Sequence, residues 1–83
     1  MSISELEIVT GTKMKIEYYH DQRRFSAKLA GASVIEGKNG GVTCSAYGEG
    51  PSAIAAQRQY AKEIKGKRIR IEDREYDVPD TLS

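Results

Sequence analysis

From Met14 to Tyr19 apolar and polar residues alternate, with Met14, Ile16 and Tyr18 on one side and Lys15, Glu17 and Tyr19 on the other. A two-residue period is that of a half-buried strand. The polar run His20-Asp21-Gln22-Arg23 then predicts a hairpin connection. Phe25, Ala27 and Leu29, alternating with Ser26 and Lys28, predict a second strand, and Gly31 predicts a kink or bulge before Val34 and Ile35 continue it. Asn39-Gly40 is a strong hairpin signal, because a type I′ turn needs positive φ at both central residues. Beyond it, Val42, Cys44 and Ala46 lie on one face of a third strand and Thr43, Ser45 and Tyr47 on the other.

After the turn Gly48-Glu49-Gly50-Pro51 the period becomes helical. Ala53, Ala56, Gln57, Tyr60, Ala61 and Ile64 share one face, and Ala55, Arg58, Gln59, Lys62, Glu63 and Lys65 share the other. Ser52 suits the N-cap, whose side chain accepts from an orphan amide of the first turn, and Gly66 suits the position just past the end. Ile69 and Ile71 then point inward between basic neighbours. Glu72-Asp73-Arg74-Glu75 reads as a polar turn, Tyr76 and Val78 as a short edge strand, and Pro79 as its stop. Ile3, Leu6, Ile8 and Val9 fit either a short helix or a short strand, broken by Gly11.

The order β-β-β-α-β, with a fifth short strand, predicts an α+β domain. Its expected form is a single twisted, mainly antiparallel sheet with one helix on one face. The crossover through the helix places the last strand parallel to a neighbour. Residues 1–83 make one domain, with 1–12 of open structure and 79–83 as a tail. At 83 residues a two-layer core is attainable, but a core plus a deep enclosed active site is not. The chain has no Trp and five Tyr, so a thin core with wet phenols is expected.

Charge and candidate chemistry change this picture little. One Cys excludes an internal disulfide and a multi-cysteine zinc site, and Cys44 reads as a small core residue. His20 stands in a turn with no second ligand at metal spacing, and a lone His makes a serine triad improbable. Glu72, Asp73, Glu75 and Asp77 lack the spacing of a calcium loop. The Gly48–Ser52 turn opens a helix, as anion sites do, but Glu49 brings a negative charge and no P-loop lysine follows. A non-enzymatic protein without catalytic residues, metal or cofactor is expected. The first 13 residues mix Glu5, Glu7 and Lys13 with short apolar runs, which predicts a soluble, cytoplasmic protein with no membrane partner.

The net charge of +1 conceals a dipole: residues 58–70 carry about +5, and the stretch from Ile71 onward about −4. Lys62, Lys65, Lys67, Arg68 and Arg70 are the candidate contacts for nucleic acid or another partner. Tyr18, Tyr19, Tyr47 and Tyr76 are the candidate interface, since one helix cannot cover a whole sheet. They predict self-association as a dimer, through a strand edge or the uncovered face.

Three resemblances bear on function. Three strands and a helix opened by Gly48-Glu49-Gly50-Pro51-Ser52, with alanines at 56 and 61, resemble the double-stranded RNA-binding domain. The chain departs from it at Ala53-Ile54-Ala55, where that family clusters lysines, and residues 1–12 do not specify its N-terminal helix. RNA binding is therefore not carried over. The segment from Gly48 to Ile64, followed by Arg68–Ile71, resembles the HicB-like group, whose β-β-β-α-β unit is a degraded ribonuclease H fold without catalytic acids. This chain shows no counterpart of the DNA-binding segment of HicB antitoxins. The run from Tyr60 to Ile69, with Arg74-Glu75-Tyr76-Asp77-Val78-Pro79, is similar to small bacteriophage and prophage proteins. That similarity implies a phage accessory protein acting on a host or phage component. The expected function is thus a protein-protein binding module, with a nucleic-acid-binding accessory protein using residues 58–70 as the alternative.

Overall fold

The computed structural model describes residues 1–36 and 42–82. Its elements are α1 (Ile3–Thr10), β1 (Met14–Tyr19), β2 (Arg24–Leu29), β3 (Ala32–Glu36), β4 (Val42–Cys44), β5 (Gly48–Gly50), α2 (Ala53–Ile64), β6 (Arg68–Ile71) and β7 (Arg74–Asp77). The fold is α+β, its strand pairs are antiparallel, and α2 packs on a sheet face.

The single sheet expected from the sequence resolves into two hydrogen-bonded sets, ordered β1-β2-β5 and β4-β3-β6-β7. Gly31 is where they part. With φ of 74° it turns the chain as only glycine does easily, so Leu29 ends in the first sheet and Ala32 begins the second. The crossover expectation is corrected as well. β6 runs antiparallel to both β3 and β7, because β5, which precedes α2, belongs to the other sheet.

The open question at residues 1–12 is settled as a helix. Ser2 caps α1 by accepting from the Glu5 N–H at 3.2 Å, and Ser2-x-x-Glu5 is the spacing of a capping box. Gly11, at φ 73°, closes it with an N–H to the Glu7 carbonyl at 2.9 Å. Of the helix and the strand that residues 1–12 fit equally from sequence, the helix forms, and Ala53-Ile54-Ala55 opens α2 without lysines.

α2 follows its sequence pattern closely. Ser52 accepts from the Ala55 N–H at 3.1 Å, and Ala56, Tyr60, Ala61 and Ile64 are buried. At its end Lys65 (φ −59°, ψ 137°) and Gly66 (φ 73°) form a type II turn closed by Lys67 N–H to Ile64 carbonyl at 3.0 Å. The expected glycine turn at 48–51 is instead strand at its first three residues. Gly48 and Gly50 lie opposite Ala27 and Phe25 of β2. A Cβ on Gly48 would run into the Ala56 carbonyl and the Tyr60 amide, and one on Gly50 would lie 2.7 Å from the Ala55 Cβ. These glycines serve close approach rather than turn dihedrals.

One core joins the layers: Leu6 of α1, Leu29, Ala32 and Val34 of β2 and β3, Tyr60, Ala61 and Ile64 of α2, Ile69 of β6, then Val78 and Leu82. Cys44 is exposed, which corrects its reading as a core residue. It pairs with buried Val34, but β4 is the sheet edge and α2 does not cover it. The Asn39-Gly40 turn lies outside the described residues; the strands around it pair from Glu36↔Val42. No helix among the described residues is long and apolar enough to cross a membrane.

Candidate functional site

Two β-hairpin strands have two faces, and in the β1-β2-β5 sheet α2 takes one of them. Ala27 and Leu29 lie fully buried on the helix side. The alternate residues therefore form an open face: Lys15, Glu17 and Tyr19 from β1, Arg24, Ser26 and Lys28 from β2, and Glu49 from β5. Tyr47 and Gln22 rim it, and with Lys15, Glu17, Tyr19, Ser26, Lys28 and Glu49 they line a surface depression of about 290 Å³, Arg24 standing outside that lining.

The charges on this face are mutually engaged. Lys15 Nζ stands 3.1 Å from Glu17 Oε1, and the Tyr19 hydroxyl donates to Glu17 Oε2 at 3.1 Å. The Lys15 hydrogen bond, then that from Tyr19, holds the Glu17 carboxyl below the usual range; the same bond to Glu17 pushes the Tyr19 phenol up. Arg24 Nη1 bridges to Glu49 Oε2 at 2.8 Å. Between these pairs the tyrosine rings remain available, Tyr19 at 46% and Tyr47 at 53% exposure. Such a surface can hydrogen-bond, stack and exchange ion pairs.

The four candidate tyrosines do not form one interface. Tyr18 points to the other side of β1, stacked on Phe25 (ring centroids 4.8 Å) and edge-on to His20 (4.7 Å). Tyr76 sits opposite Ile69, half-buried against the core. Tyr19 and Tyr47 alone share the open face.

The candidate cations divide similarly. Lys62, Lys65 and Lys67 are exposed on α2 and the turn after it. Arg68 faces the acidic strand directly, with Nε 3.0 Å from Asp77 and Nη1 3.8 Å from Glu75. Arg70 lies 3.5 Å from Glu75. The Asp77 hydrogen bond pushes the Arg68 guanidinium up, as expected of a cation with a partner. The opposed charge runs of the sequence thus meet across the β6–β7 ladder.

Among the described residues no group of three or more His, Cys, Asp or Glu is placed to hold a metal ion. Gly48 and Gly50 lie beneath α2, so their strand forms no phosphate-cradling loop. Sequence reasoning assigned no role to Glu17, Arg24, Ser26 or Glu49. Their signal was present in the alternation of β1 and β2, as the set opposite the apolar residues; Glu49 was hidden because its strand reads as a turn. No family model, curated protein or solved structure matches the chain.

Proposed function

We propose that this protein is a non-enzymatic binding module that recognises another protein through the open face of β1, β2 and β5. The observation that carries the reading is the pair of exposed tyrosines, Tyr19 and Tyr47, set in a depression whose charges are of both signs. Tyrosine offers large contact area at small entropic cost, with a polar tip that tolerates water before the partner arrives. Mixed charge favours a protein surface of complementary pattern over a uniformly anionic backbone. The resemblance of Tyr60–Ile69 and Arg74–Pro79 to small phage proteins favours a host or phage component in the cytoplasm as the partner.

The alternative, nucleic-acid binding through Lys62, Lys65, Lys67, Arg68 and Arg70, draws support from the three exposed lysines. Against it, Arg68 and Arg70 already have counter-ions within the chain, and releasing them lowers the gain from phosphate contacts.

Affinity capture from a native-host lysate separates the two. The Tyr19→Ala/Tyr47→Ala variant should lose a protein that the wild type and a Lys62→Glu/Lys65→Glu/Lys67→Glu variant both retain. Loss with the lysine variant alone, together with salt-sensitive retention of nucleic acid on filters, would replace this reading with the alternative.

A further inference from the structure

β1 is the edge of its sheet. Its strand partner is β2, on one side, and every residue from Lys15 to Tyr19 is exposed. One hydrogen bond fixes which backbone groups face outward. The Ala30 N–H donates to the Lys13 carbonyl at 3.0 Å, and bonded pairs alternate with non-bonded pairs along an antiparallel ladder. The odd-numbered residues of β1 thus turn their N–H and C=O toward β2, and Met14, Ile16 and Tyr18 turn theirs away from it. Met14 agrees, since its N–H is taken by Glu7 Oε2 at 2.8 Å. The outward N–H groups of Ile16 and Tyr18 have no partner among the described residues. An edge of this kind is a template for another strand.

We infer that β1 pairs antiparallel with β1 of a second copy of this chain, across a two-fold axis at Ile16, so that two three-stranded sheets become one. Charge complementarity selects both occupant and register. With Ile16 opposite its equivalent, Lys15, paired to Glu17 of its own chain at 3.1 Å, also faces Glu17 of the other copy, and Met14 faces Tyr18. Sliding the pairing by two residues sets Glu17 against Glu17 in one direction and Lys15 against Lys15 in the other, and like charges directly opposite are destabilising. A slide of one residue turns the apolar set to the wrong face.

The backbone fits the same register. Ile16 exchanges N–H and C=O with its equivalent, and each Tyr18 N–H reaches the Met14 carbonyl of the other copy. Neither bond disturbs the Glu7 contact, which ends the pairing at Met14. Ile16, 41% exposed in the single chain, then lies against Ile16 of the other copy, and Tyr18, 44% exposed, against its Met14. The backbone edge of β1 lies outside the Tyr19–Tyr47 depression, but Lys15 and Glu17 also line that depression; a change at Ile16, on the opposite face, is what separates this pairing from the proposed function.

Sedimentation equilibrium of the full chain across the micromolar range tests it. The wild type should approach twice 9.2 kDa. Lys15→Glu and Glu17→Lys should each weaken association by roughly tenfold or more, and the combined Lys15→Glu/Glu17→Lys exchange should restore it. Ile16→Pro removes an outward N–H that has no partner among the described residues, and should give a monomer with an unchanged circular-dichroism spectrum. A monomeric wild type throughout would overturn the inference. So would a dimer that the single reversals leave intact, or one that the exchange fails to restore.

Discussion

Gly48 decides how closely α2 can approach the sheet. The backbone of α2 lies where its Cβ would be, with the Ala56 carbonyl and the Tyr60 amide as the obstacles. Backbone atoms within a helix cannot swing aside as a long side chain can. Opposite Gly48 stands Ala27, fully buried, and above both lies Ala56, also fully buried. Three small residues thus set the height of the helix above the sheet. Gly48→Ala is expected to cost about 3 kcal/mol or more, toward the upper end for overpacking, a large share of the 5–15 kcal/mol typical of a small domain. Gly50→Ala should cost less, because its obstacles, the Ala55 Cβ at 2.7 Å and the Ala56 N at 2.8 Å, stand farther off than those at Gly48. The midpoint of denaturant unfolding for the two variants checks the order.

At the scale of elements, α2 is the piece that the sequence states most fully. Ser52, the face through Ala56, Tyr60 and Ile64, and Gly66 are local signals, and each occupies its expected place. β5 is the opposite case. Gly-Glu-Gly looks like a turn because glycine weakens strands, and the compensating contact comes from α2 across the layer, which no local pattern records. The split between sheets is likewise non-local: β3 extends the chain beyond Gly31 but finds its partners in β4 and β6. On the functional side, Tyr19 and Tyr47 were legible as exposed aromatics. Their separation from Tyr18 and Tyr76 required knowing which face α2 covers.

Tyr60 makes α2 sensitive to alkali. Burial pushes its phenol above the ordinary value near 10, and a backbone hydrogen bond with Leu29 offsets part of that shift. The native state then holds a proton that the unfolded chain releases. Its contribution to stability is complete below about pH 10 and is lost as pH rises through the native value. Unfolding midpoints measured from about pH 8 to about pH 11 should fall at the alkaline end, and Tyr60→Phe should flatten that fall while keeping the ring in the core. An equally steep fall in Tyr60→Phe would assign the effect to other groups.

For the whole molecule, the arrangement leaves distinct surfaces on a body 38 × 24 × 20 Å in extent. Across the β6–β7 ladder Arg68 and Arg70 are held by Asp77 and Glu75. The α2 end presents Lys62, Lys65 and Lys67. The open face of β1, β2 and β5 presents two tyrosines among paired charges, and its edge presents the free backbone of β1. Of these surfaces, the tyrosine face is the one proposed to meet another protein. Site-specific photo-cross-linking in the native host tests it most directly, with p-benzoyl-phenylalanine in place of Tyr47 in one variant and of Lys62 in a second. A discrete protein adduct is expected from position 47 and none from position 62. Adducts from position 62 alone, removed by nuclease, would contradict it.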